Sequence, residues 1–341
     1  MSMRGETGMG LVEVMVWAAV SLLIVTVIGI IYVDSKQLTR VNDTMSRMQE
    51  NGRFAIYLID RDLRMAGFRG CNGASVTPVN VLNSNAYPYQ FDVGIAGYHG
   101  NGGTWLPALD ASISALNPPP VTAGDVVTIR HIDGQGVPLV APMADSSADL
   151  QVGAGSQLAA GDVLLVADCA AAAVFNATGF DSTNGVLAHE AGTQAVPGNT
   201  TTDLGHVFGA DASVYRLVTR TYYMAPSTRQ PRTRSLWANS TPAYDGQPQP
   251  EEMVEGVEGL ALLFGEDLDG KRSANRYVTA NAVGAWSNVV SVKAQILLAT
   301  VRDNVTTSPQ PYTFAGVAVT PTDLRLRSAL SSVITVRNRV P

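Results

Sequence analysis

Cysteine and histidine are scarce in this chain of 341 residues, with two of the first and four of the second. Cys71, Cys169, His99, His131, His189 and His206 show no ligand spacing, which excludes a structural zinc site on count. Proline is missing from Met1 to Thr77, although the chain holds 18. Nothing in that stretch forces a helix to break. A nucleophile elbow, an HExxH pair and a dinucleotide fingerprint are also missing, so the chain is read as non-enzymatic, with no catalytic residue and no cofactor. The four histidines lie in Gly/Asn-rich or strand-like contexts and read as structural. Positive charge is short too: 23 Lys and Arg against 29 Asp and Glu leave a net −6. The densest basic region, Arg216, Arg220, Arg229, Arg232 and Arg234, reads as a wet strand face, and a nucleic-acid partner is not expected.

What is present begins with Gly8-Met9-Gly10-Leu11-Val12-Glu13, which opens an apolar run reaching Val33. Leu11 to Val33 is about 23 residues, enough at ~1.5 Å per residue to cross a ~30 Å hydrocarbon core. One acid, Glu13, stands at its front. A carboxylate in lipid costs about 2.5–3.5 kcal/mol, whereas a helix N-terminus returns only about 0.3–1 kcal/mol. The deficit calls for a partner charge. Cutting the chain after Gly8 would supply one, the α-amino group of Met9 on a neighbouring subunit. Arg4 lies on one side of the run and Lys36 and Arg40 on the other, so positive charge alone leaves the orientation open.

From Asp34 to Gly67 the helix continues with a different character. Leu38, Val41, Met45, Met48, Gly52, Ala55, Ile59 and Ala66 recur at spacings near three and four and form one apolar stripe. Arg40, Asp43, Arg47, Glu50, Arg53, Asp60 and Arg61 occupy much of the rest. The stripe is expected to pack on the chain's own globular part over its second half. Arg61, Asp62 and Arg64 read as alternating charges on a solvated face near the helix C-terminus.

Gly8, Met9, the apolar run and Glu13 together resemble the type IV prepilin signature, a short leader ending in Gly before a hydrophobic segment with Glu at the fifth mature position. Met9 stands where Phe is usual, and the leader carries Glu6 beside Arg4. The segments Met48 to Ala55 and Arg61 to Cys71 look very like minor type IV pilins of the PilW type. Gly161 to Cys169 and the closing Val336-Arg337-Asn338-Arg339 continue the likeness, which is strongest over the first ~70 residues and thinner after Cys169. The resemblance implies an α+β, type IV pilin-like fold. Residues 1–8 would be a leader removed by a prepilin peptidase, 9–33 the transmembrane and assembly half of the helix, and 34–70 its amphipathic half. Residues 71–341 would form a β-rich periplasmic or extracellular domain, in one lobe or two. Gly8 and Met9 would flank the cut, Met9 would be N-methylated, and Glu13 would carry the assembly charge. The partners implied are other minor pilins, the major pilin, the inner-membrane assembly platform and a tip adhesin, in a complex that primes pilus assembly. The location implied is the inner membrane before assembly and the pilus at the cell surface after it, with twitching, adhesion and DNA uptake all open as the output. Two alternatives stay open: a type II secretion pseudopilin, and a signal-anchored periplasmic adhesin or hydrolase.

In this topology Cys71 and Cys169 both lie on the far side of the membrane, where disulfides persist. A bridge would close a loop of about 100 residues, worth ~4.7 kcal/mol on chain-entropy grounds; two free thiols are the alternative. Strands are expected at Asp125 to Arg130, Asp162 to Val166, Ser213 to Met224, Val257 to Phe264, Val289 to Thr300 and Val333 to Arg337. The acidic turn from Gly265 to Arg272 reads as a solvated hairpin. Asp267 and Asp269 are weak candidates for a calcium loop, since Lys271 and Asn275 stand where further acids would be needed.

Overall fold

The computed structural model describes residues 10–70, 76–84, 86–192, 197–241 and 250–339. A single helix, α1 (Leu11–Met65), runs unbroken for 55 residues, as the missing prolines allow. It ends where Gly67 takes a φ of 71° and its N–H bonds to Arg130 O at 2.8 Å. A β-rich domain follows, so the α+β architecture expected from the sequence is the one observed.

Eleven of the domain's eighteen described strands make up most of its two main sheets. They are β1 (Ile95–Gly100), β2 (Val126–Pro138), β3 (Val163–Ala167), β4 (Ala172–Asn176), β5 (Ser213–Pro226), β6 (Arg234–Thr241), β7 (Glu251–Glu255), β8 (Val257–Glu266), β9 (Arg276–Val278), β10 (Val289–Ala299) and β11 (Arg327–Thr335). The larger sheet is organised by β5. One edge of β5 pairs antiparallel with β2, while its other edge is shared between β3 at Ser213–Arg216 and β6 at Thr219–Pro226. β4 extends the sheet beyond β3, β1 beyond β2, and β7 beyond β6. The smaller sheet runs β9-β8-β10-β11. The chain passes from one sheet to the other at Gly256, whose φ of 81° suits glycine and whose Cβ, if present, would lie 2.8 Å from Ala299 O.

β3 is buried on both faces and reads as a continuous apolar run for that reason. Leu164 and Val166 join one cluster with Phe175 and Phe208; Val163 and Leu165 join another with Val174 and Leu217. α1 enters a different core. Met48, Ala55, Leu58, Ile59 and Leu63 pack there with Ile129 and Tyr222 of the larger sheet and with Leu262, Ile296 and Ile334 of the smaller. Each buried leucine or isoleucine stabilises that seat by about 1.5–3 kcal/mol.

Two expected features differ. β2 runs on past Arg130 through Gly134 and Gly136, residues that resemble turn signals. Gly136 instead lies beneath Tyr215, where a Cβ would approach the ring to 2.4 Å. The last strand begins at Arg327 rather than Val333 and ends at Thr335, because Ser328, Ser331 and Ser332 are strand residues on an edge that needs no apolar cover.

Candidate functional site

The two halves of α1 meet opposite surroundings. Every residue from Gly10 to Lys36 is exposed. The helix starts at Gly10, which offers no side-chain cap, and Glu13 sits in the first turn with its N–H bonded to Gly10 O at 2.9 Å. Thr26 donates its hydroxyl to Leu22 O at 2.8 Å, so this polar side chain is satisfied within the helix itself. At the end of the apolar run Lys36 Nζ lies 5.7 Å from the Tyr32 ring centroid, a pairing of aromatic and cation that suits a membrane–water boundary. This helix is long and apolar enough to cross a membrane. Gly8 and Met9, the residues of the expected cut, lie outside the described residues.

The second half is seated on the domain. Met48, Gly52, Ala55, Ile59 and Ala66 are buried as the stripe requires, and Val41 is half-buried. Leu38 and Met45 are not: they are 62% and 40% exposed. The smaller sheet meets α1 only from Met48 onward. Before that, a cleft of about 890 Å³ separates the helix from the end of β10 and the loop after it, Leu298–Val305. Gln37 bridges its far end, donating to Val305 O at 3.1 Å. Gly52 marks the closest approach. A Cβ there would stand 2.2 Å from Leu330 Cδ1 and 2.3 Å from Leu298 Cδ1, so only glycine lets the sheet come this near.

Asp62 corrects the expectation of a solvated face. It is 2% exposed. Tyr222 Oη donates to its Oδ2 at 2.6 Å, Arg61 Nε to its Oδ1 at 2.8 Å, and Arg220 Nη1 lies 3.2 Å from Oδ2. Burial pushes this carboxyl up, but the bonds from Arg61 and Tyr222 and the charge of Arg220 outweigh it and hold the group below its ordinary value. Asn338 closes the helix by donating to Ala66 O at 3.1 Å and Met65 O at 3.4 Å, and Asn51 donates to Glu255 O at 3.2 Å. Sequence reasoning missed both Asp62 and Asn338. The one available signal was that Asp62 falls on the helical arc of Ala55 and Ile59.

The remaining sequence candidates are scattered. Cys169 is exposed just after β3, and Cys71 lies outside the described residues. Gly70, the last described residue before Cys71, lies beside Tyr215, whose ring a Cβ at this position would meet at 3.4 Å and whose strand partner is Leu165. Asp267 spends its oxygens on its own turn, accepting the backbone N–H groups of Asp269, Gly270 and Arg272 at 3.2, 2.8 and 2.8 Å. Asp269 pairs with Lys271 at 3.0 Å. Among the described residues no three His, Cys, Asp or Glu side chains converge as a metal site would need. The basic region disperses: Arg216 pairs with Asp162, Arg220 with Asp62, and Arg234 donates to Glu258 O. Two histidines gain carboxylate partners that the sequence did not reveal, His99 with Asp125 at 2.8 Å and His206 with Asp168 at 3.0 Å.

Helix and seat define a protein with a β-rich domain carried on a helix whose apolar first half its own chain leaves bare. Residues 221–338 match the family model described as Type IV Pilus-assembly protein W. The match ties the segment from the second half of β5 through β11 to a pilus-assembly family. It covers about a third of the chain and falls where the sequence resemblance had looked thinner. A solved structure, the type IV-like pilin TTHA1219 from Thermus thermophilus, aligns with 86% of this chain and 98% of its own at 12% identity and a TM-score of 0.33. No curated protein matches the chain.

Proposed function

We propose that this chain is a minor pilin, anchored in the inner membrane and drawn into a complex that primes a type IV pilus or caps its tip. The observation that carries the reading is one unbroken helix, bare and apolar in its first half and docked in its second, joined to a segment matching a pilus-assembly family. The bare half needs cover from outside the chain, first lipid and then the helices of other subunits. Removal of residues 1–8 frees the Met9 amine, which is then methylated. Glu13 pairs with such an amine on the next subunit, which offsets the cost of its burial. Cys71 and Cys169 form a disulfide that ties the end of α1 to β3. The work is assembly, not catalysis.

Sequencing the N-terminus of protein taken from its native membrane tests the reading, with methyl-Met9 as the expected first residue. Material that still carries residues 1–8 would overturn it. Glu13→Ala should be cut normally yet stay out of the filament; normal incorporation would contradict the charge pairing. Two alkylatable thiols in the mature chain would rule out the bridge.

A further inference from the structure

The smaller sheet ends on β11, whose outer edge has no hydrogen-bonded strand beside it; the short strand Tyr312–Phe314 lies against it, with the Arg327 guanidinium 5.4 Å from the Tyr312 ring. Edge strands in stable proteins are short, charged, kinked or covered. Two other edge strands follow this rule: β9 has three residues, and β7 has five, among them Glu251, Glu252 and Glu255. β11 has nine, with no charge or proline from Ser328 through Val336 and no register shift against β10.

Its free backbone groups can be assigned. Val336 donates its N–H to Val290 O at 2.9 Å, continuing the β10 ladder. Bonded residues alternate in an antiparallel pair, so Leu330, Ser332 and Ile334 turn toward β10. The N–H and C=O groups of Ala329, Ser331, Val333 and Thr335 then point outward. The far side of β10 agrees. Leu260 O accepts from Asp125 N–H at 2.8 Å and so faces away from its partner Ile296, which is left to bond Leu330. Among the described residues, nothing but β10 bonds the backbone from Ser328 to Thr335. Beside this edge a groove of about 310 Å³ lies between α1 and β11, where Arg53 and Asp60 stand beside Gly52, Ile56, Leu330 and Ser332.

We propose that β11 accepts an added strand from a second protein of the same membrane assembly. The strand is extended and held by backbone hydrogen bonds, and its alternate side chains are small enough to enter the groove between α1 and β11, whose wall is mixed in polarity. A second copy of this chain pairing antiparallel through the same edge does not fit. From Leu330 against Gly52 to Asn338 against Ala66, the chain runs alongside α1 in the same direction. Antiparallel pairing of two β11 edges would point two α1 helices opposite ways, which anchorage in one membrane forbids. The partner's origin rests on the function proposed above; the open edge does not.

Residue-resolved hydrogen exchange on the full chain, alone in detergent and within its purified assembly, tests this. The amides of Ala329, Ser331, Val333 and Thr335 should slow about tenfold or more on assembly, while those of Leu330, Ser332 and Ile334 change little. Unchanged rates in the assembly would overturn the proposal. So would slowing in the chain alone as its concentration rises, which would assign the edge to a second copy. Ser331→Pro removes an outward donor and spares the β10 ladder. It should melt like the parent and be lost from the assembly, whereas Ser331→Thr is retained; a folded Ser331→Pro that assembles normally would also sink the added strand. A chain that never enters an assembly removes the function reading, whereas one that enters with the four amides still fast removes this inference alone.

Discussion

The two halves of α1 share a backbone and differ in what covers them. From Gly10 to Lys36 no side chain is buried, while from Met48 to Ala66 the inward face is sealed by the two sheets. In the first half apolar residues surround the axis, so no single face of the domain could cover them. In the second half they keep to one arc, and that arc matches a sheet. The difference separates two sources of stability: the chain supplies the seat of the second half, and the surroundings must supply the cover of the first.

Glycine gives the sharpest way to break the comparison. Gly52→Val drives a branched side chain into Leu298 and Leu330 and should cost about 1–3 kcal/mol of domain stability, read as a lower melting temperature of the full chain in detergent. Gly29→Ala, with nothing within 4 Å of its new Cβ, should leave that melting temperature unchanged. Asp62→Asn comes next. It leaves Arg220 without its charge partner and should cost about 1–3 kcal/mol near neutral pH, toward the lower figure because Arg220 and Arg61 are partly exposed. The pH dependence has a definite sign. The folded Asp62 carboxyl titrates below its unfolded counterpart, so its contribution is complete above the ordinary carboxylate range and fades as pH falls through the folded value. Parent and variant melting curves should therefore converge on acidification; a gap that widens toward low pH would contradict the buried-carboxylate account. The smallest effect belongs to Met45→Ser, which should stay within about 0.5 kcal/mol because the sheet does not reach that turn.

Much of this was legible in the sequence, and the exceptions share a cause. The unbroken helix is allowed by the missing prolines, β3, β8 and β10 are largely apolar in their own right, and β5 is rich in Val, Thr and Tyr. Periodicity marks which arc of a helix is apolar, but it does not say how far along the helix a sheet extends, and so Leu38 and Met45 were counted with a stripe that starts at Met48. Asp62 was misjudged because its partners Tyr222 and Arg220 lie some 160 residues away on β5. The sharing of one β5 edge between β3 and β6 is likewise a matter of long-range register, which no local pattern encodes. The acidic turn, by contrast, is closed by its own residues, and it was read correctly as a hairpin between strands.

Gly52 has one more consequence, and it concerns angle. Leu298 and Leu330 fill the space over the helix at that residue, so turning a neighbouring side chain of α1 into their place would require both to shift. Because the helix is continuous, that setting is carried along the rod to Glu13, roughly 60 Å away at ~1.5 Å per residue. The azimuth of the lone acid on the rod is thus related to the seat at the opposite end, and one residue gained or lost between them would swing it by about 100°.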